Sequence, residues 1–245
     1  WKIFRHEKKE VILRAFHNKM RKKFGMLIYE QAQPMDIIGP WEVMSMWCHI
    51  LGGKLDLFMI AEKKGMVKCD NQITLEAEYD FTTSPRLDYL MVPGGRGRLD
   101  QVNNPALIDF IKNQAGSAEA ILSVCTGMFL LEKAGILHHK STTTYWRAFD
   151  ELKKYSTIKI EEKRMVRSGN IWCSGGVTSG IDLSLAFIAD TAGAEIAGKV
   201  QLLLEYFPET PPYAHLELIE TLPIYRPGHQ NVETLPTYIM DRIDK

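Results

Sequence analysis

A cysteine thiolate is among the strongest nucleophiles a protein can present. One of the four cysteines in this chain, Cys125, stands where such a group is usable. It lies in Ala120-Ile121-Leu122-Ser123-Val124-Cys125-Thr126-Gly127-Met128-Phe129-Leu130-Leu131, where an apolar run of strand character changes to helical spacing at the cysteine itself. That is the pattern of a nucleophile elbow, a sharp strand-to-helix turn that holds one side chain above a sheet edge. The unpaired N–H groups of the helix start at such a turn favour thiolate over thiol, so the segment predicts covalent chemistry at Cys125. A small buried core cysteine is the plainer alternative, and the small residues flanking the turn weigh against it. Upstream of it stands Pro93-Gly94-Gly95-Arg96-Gly97, whose glycines let backbone N–H groups point into a pocket, as an oxyanion hole requires. The segment has neither the G-x-G-x-x-G nor the G-K-[ST] spacing, so a dinucleotide or nucleoside-triphosphate site is not supported. Asp36 stands just before a predicted helix, where, taken alone, it reads as an N-cap.

These segments act together only if a frame brings them to one place. A mostly parallel sheet does so, because ligands bind outside the C-terminal ends of its strands. Phe24–Tyr29, Leu55–Ala61 and Tyr89–Val92 read as short buried strands, and Pro105–Gln114 as a helix with proline in its first turn. Gly135 ends the helix that follows Cys125, and Tyr145–Tyr155 forms a helix with Trp146, Phe149 and Leu152 at core spacing. Ile158–Val166 and Asn170–Cys173 flank a turn at Arg167-Ser168-Gly169, which predicts a hairpin. Two helices, about Val177–Ala192 and Ala194–Tyr206, precede a proline-rich tail. The alternation argues for an α/β fold, with the loops after Tyr29, Val92 and Val124 converging.

At 245 residues and 45% hydrophobic composition, the chain can build one large core. Its 30 basic and 30 acidic residues cancel, which leaves no global field to draw in nucleic acid or an anionic membrane. No apolar run approaches the roughly 18 residues of a spanning helix. The four scattered cysteines form no C-x-x-C pair, which argues against a zinc site or disulfide framework and for a reducing, cytoplasmic setting. The expected organisation is a basic N-terminal extension over residues 1–23, a single domain over 24–207 and a proline-rich tail over 208–245, an extended arm on the surface or across a dimer interface. His138-His139 reads as a solvated helix end rather than a metal pair.

The D-I-I-G-P-W-E-V, V-P-G-G-R-G, S-V-C-T-G, T-T-Y-W, G-G-V-T-S-G-I-D and V-Q-L-L-L-E-Y segments, in that order from about Phe24 to Pro208, resemble the DJ-1/PfpI superfamily of class I glutamine-amidotransferase-like proteins. Within it the closer similarity is to the isonitrile hydratases. The resemblance implies a flavodoxin-like mostly parallel sheet sandwiched by helices, a homodimer and no metal or organic cofactor. It makes Cys125 the nucleophile, Asp36 its acidic partner in place of a more common glutamate, and Thr126 the next site residue. Gly95 and Thr126 N–H groups would form the oxyanion pocket, with Gly94, Trp146 and Val177 also binding substrate. The implied reaction is hydration of a small isonitrile to an N-substituted formamide through a thioimidate. The chain departs from the pattern at Tyr145, where many relatives carry His, and at Trp41, where a smaller or polar residue is common. Thr126 replaces the histidine of protease-like members, which disfavours peptidase activity. Two other expectations share these motifs: a ligand-sensing module like the sensor domains of AraC-type regulators, disfavoured by a tail too short for their DNA-binding region, and a glyoxalase-like or redox-stress protein.

Overall fold

The computed structural model describes residues 21–208, 214, 216–225 and 235–243. Most of the basic extension and part of the proline-rich tail lie outside the described residues. In chain order the first half comprises β1 (Lys22–Leu27), α1 (Pro34–Ser45), β2 (Leu55–Ala61), β3 (Gly65–Lys68), β4 (Thr74–Ala77), β5 (Tyr79–Asp80), β6 (Tyr89–Val92), α2 (Arg98–Gln101), α3 (Pro105–Ala115) and β7 (Ala120–Val124). The second half comprises α4 (Met128–Lys133), β8 (Ser141–Thr142), α5 (Phe149–Leu152), β9 (Lys159–Ile160), β10 (Met165–Ser168), β11 (Ile171–Ser174), α6 (Ser179–Ala192), α7 (Ala194–Leu203), α8 (Leu218–Thr221) and α9 (Thr237–Ile243).

Seven strands form the main sheet in the order β10-β11-β7-β6-β1-β2-β5, and only β10 runs antiparallel to its neighbour. Counted along the chain, the central parallel strands β2-β1-β6-β7-β11 have the flavodoxin-like doubly wound order, whose switch point falls between β1 and β6. Every position of β6, β7 and β11 is buried, as expected for strands covered on both faces. α1 and α7 both pack on α6, while α3 packs on α4. The core runs through Phe24, Met26, Leu90, Met91, Phe129 and Phe187. Among the described residues no helix is long and apolar enough to cross a membrane.

Local chemistry sets the element ends. Proline opens α1 and α3, where its missing N–H removes nothing from the helix. Asn104 caps α3 by accepting from the Ala106 and Leu107 N–H groups at 3.1 and 3.4 Å. Two predicted elements differ. In place of one helix over Tyr145–Tyr155 there is a single 3-10 turn at Trp146–Ala148 followed by the short α5, because Tyr145 is extended and Ala148 leaves the helical region. The strand predicted over Ile158–Val166 is split: β9 pairs with β8, then the chain turns through charged Glu161, Glu162 and Lys163 before β10 begins. The hairpin itself forms, with Gly169 in the left-handed region at its turn.

Candidate active site

The loops after β1, β6 and β7 meet at the C-terminal edge of the sheet. Cys125 follows β7 directly and has φ +59°, a left-handed conformation that an L-residue adopts only when its surroundings enforce it. Two bonds do so: its N–H donates to the Gly175 carbonyl at 2.8 Å, and its own carbonyl accepts from the Thr144 hydroxyl at 3.0 Å. The elbow is thus pinned by the loop after β11 on one side and by the threonine-rich segment before the Trp146 turn on the other.

Asp36 sits in the first turn of α1 rather than at its cap, which is Gln33, and its carboxyl is completely buried. Oδ2 accepts the Gly94 N–H at 2.9 Å, and Oδ1 meets no hydrogen-bond donor among the described residues. The side chain that interacts with the carboxyl is the Cys125 thiol. Burial pushes the Asp36 carboxyl up to about 8, against the pull of the Gly94 N–H and the thiol. At neutral pH Asp36 therefore retains its proton. The thiol is also pushed up, first by burial and then by the Asp36 carboxyl, while hydrogen bonds from the Thr126 and Val177 N–H groups and the Thr126 hydroxyl oppose the shift. The elbow position predicted a favoured thiolate. The N–H groups that would favour it are in place, but loss of water around a buried sulfur outweighs them.

The glycines of the β6 loop are required by space and by backbone angle. A Cβ at Gly94 would lie 2.6 Å from both the nitrogen and the hydroxyl of Thr126. Gly95 has φ +128°, a region open to glycine and strained for any side chain. Both N–H groups are already engaged, Gly94 on Asp36 and Gly95 on the Thr126 hydroxyl at 3.2 Å. The backbone N–H groups that reach the sulfur belong instead to Thr126 and Val177. Val177, at φ +20°, is itself held in an uncommon conformation.

A cavity of about 440 Å³ opens above the sulfur. Gly95, Cys125, Thr126 and Val177 line it, with Asp36 and Gly94 buried behind them. Trp146, predicted to bind substrate, is not in the lining; its ring packs edge-on to Tyr145 at 6.0 Å, and Tyr145 forms the cavity wall. Trp41 likewise packs against the core rather than the cavity. Sequence reasoning missed half of the lining: Gln33, Asp70, Arg98, Leu99, Ile224 and Tyr225. Arg98 is 2% exposed and forms a two-pronged pair with Glu151, Nη1 to Oε1 at 2.8 Å, with its guanidinium 4.2 Å from the Phe129 ring centre. Ile224 and Tyr225, from the tail, complete the outer wall. The only local signal for Arg98 was its place after the glycine loop; its partner lies 53 residues away, and nothing in the tail's composition marks Tyr225. All four cysteines are buried and free, and among the described residues no three His, Cys, Asp or Glu side chains gather as a metal set.

Residues 22–190 match the DJ-1/PfpI family. The chain is 33% identical over 192 residues to the isonitrile hydratase of Pseudomonas putida, an alignment spanning 78% of this chain and 82% of that protein. The crystal structure of a THiJ/PfpI family protein from Pseudomonas syringae matches with a TM-score of 0.74 at 28% identity, covering 80% of each chain. The HTH-type transcriptional regulator CdhR of Pseudomonas aeruginosa is 26% identical over 137 residues, which are 56% of this chain and 40% of the regulator.

Proposed function

Because the chain belongs to the DJ-1/PfpI family, we propose that it hydrates isonitriles to N-substituted formamides, with Cys125 as nucleophile and Asp36 as the proton-transfer group. The observation that carries the reading is the fully buried Asp36 carboxyl against the Cys125 thiol, at the base of a cavity sized for a small molecule. The likeness to the Pseudomonas putida isonitrile hydratase over most of its length supports the choice of substrate class.

An isonitrile R–N≡C is electrophilic at its terminal carbon. Sulfur attacks that carbon, Asp36 gives its proton to the same carbon and takes the thiol proton in exchange, and the thioimidate Cys–S–CH=N–R results. Water then adds to the thioimidate carbon, giving one of its protons to Asp36 as Asp36 gives its own to the nitrogen, which leaves the hydroxyl adduct and a protonated Asp36. The tetrahedral adduct loses its hydroxyl proton to sulfur as the C–S bond breaks, which releases R–NH–CHO and restores the thiol. Thr126 and Val177 N–H groups stabilise negative charge on sulfur during attack and departure, while Thr126 holds the Gly95 loop in register. No step needs a metal or an organic cofactor. The same reading includes a homodimer in the cytoplasm, checked by light scattering on the purified protein and by fractionation of cells.

The test is a formamide-forming assay with one aliphatic and one aromatic isonitrile, run on the wild type, Cys125→Ala and Asp36→Asn. The wild type turns over, and each substitution lowers the rate at least about a hundredfold. Full turnover by folded Cys125→Ala would refute the mechanism. The match to CdhR favours a second reading, a ligand-sensing module. It requires saturable binding without product and binding that survives Cys125→Ala. A methylglyoxal assay without glutathione covers glyoxalase chemistry in the same plate.

A further inference from the structure

Tyr225 lies outside the family-matched residues 22–190, yet it completes the cavity that holds Cys125. Three contacts fix it there. The Tyr225 hydroxyl accepts from the Arg98 guanidinium. Its ring packs edge-on to Tyr145 at 5.5 Å. The preceding turn is tied down where the Arg147 guanidinium donates to the Pro223 carbonyl and sits 5.4 Å from the Tyr225 ring centre. A buried arginine is costly to place and is tolerated only with its charge matched. Here Glu151 matches it from α5 and Phe129 backs it, so the guanidinium presents a donor to Tyr225 at a set position.

The charges around the cavity are also informative. The two arginines in its lining are each neutralised, Arg98 by Glu151 and Arg96 by Asp70 at 2.5 Å. Among the described residues that line the cavity every charged side chain is thus matched, so a charged substituent buried against that lining would lose hydration without compensation. What the outer wall does offer is the Tyr145 and Tyr225 rings with Leu99 and Ile224.

We infer that Tyr225, docked by the Arg98–Glu151 pair, is a specificity-determining residue that selects uncharged, apolar and preferably aromatic substituents on the molecule delivered to Cys125. For turnover this rests on the hydratase reading, in which the substituent is the R group of the isonitrile. The shape and charge selectivity of the cavity does not.

The experiment therefore has two arms. In the first, Cys125 is alkylated with N-ethylmaleimide, N-phenylmaleimide and N-(4-carboxyphenyl)maleimide, and modification of the Cys125 peptide is followed by mass spectrometry. The wild type should react faster with the phenyl reagent than with its carboxylated analogue, after correction for their rates with a free thiol. Tyr225→Ala should shrink that preference by about two- to tenfold, the range carried by one aromatic contact. Tyr225→Phe, which keeps the ring and loses only the bond to Arg98, should retain more of the preference than Tyr225→Ala. Reagent preferences unchanged in folded Tyr225→Ala would overturn the inference. The second arm compares phenyl and 4-carboxyphenyl isonitriles: Tyr225→Ala should raise KM for the phenyl substrate more than it lowers kcat. Alkylation selectivity in a wild type with no isonitrile turnover would refute the hydratase reading and leave the inference standing, whereas turnover indifferent to Tyr225 would do the reverse.

Discussion

Asp36 keeps a proton that an aspartate in water loses near 3.8, because the fold surrounds it with apolar atoms and a thiol in place of water. The same burial makes it a proton donor at neutral pH and a burden on stability. With the folded-state value raised to about 8, the neutral carboxyl's contribution to stability is fully present below pH 4 and is lost as pH rises through about 8. Asp36→Asn, neutral at every pH, should raise Tm by a few °C or more at pH 8 and flatten its decline between pH 4 and 8, while removing activity. A Tm that fell with pH equally in both proteins would contradict the buried-acid assignment. In the wild type, kcat/KM should hold on the acid side and fall above about pH 8, as the donor is lost. A profile still rising through pH 9 would instead assign the limiting titration to the thiol.

At the scale of the element, the elbow stores strain at Cys125, whose φ of +59° suits glycine better than any side chain. Cys125→Gly should therefore be more stable than Cys125→Ala by about 1 kcal/mol, although both lack the sulfur, and paired denaturant titrations would reveal the difference. Gly94→Ala carries the opposite expectation. Its new Cβ would crowd Thr126 at 2.6 Å and disturb the Gly94 to Asp36 bond, lowering turnover at least about tenfold even in a folded protein. The elements were legible to different depths. β2 and β6 are apolar runs bounded by turn residues, and their limits follow from the sequence alone. The elbow was legible because strand and helix periodicities change at one residue. The neighbourhood of Asp36 was not, since an aspartate near a helix start reads as a cap; only the resemblance brought it to Cys125. The helix predicted over Tyr145–Tyr155 failed because buried side chains at core spacing do not reveal that Tyr145 is extended and lines a cavity.

Across the whole molecule, the Arg98–Glu151 pair links α2, α5 and the tail, contacts too distant in sequence for any local pattern to announce. Removing one partner strands the other charge in the interior. Glu151→Ala should cost about 3–5 kcal/mol, whereas the double variant Arg98→Met with Glu151→Leu should recover much of that loss, as chemical denaturation of both proteins would measure. Equal losses would mean that packing, not charge, dominates there. The ends of the main sheet carry a different consequence. At one edge β5 is only two residues long, and Asp80 turns the chain away at once by accepting the Thr82 and Thr83 N–H groups at 2.9 and 2.8 Å. At the other, β8 lies against β10, and Arg167 of β10 is drawn back onto Asp190 and the Trp172 ring. Among the described residues both border strands are short, β5 with two residues and β10 with four, which limits the row of unpaired backbone groups they offer to a second strand. Strand addition at these borders is thereby disfavoured, and the exposed Leu202, Leu203 and Phe207 around the end of α7 offer copies of this chain a side-chain surface instead.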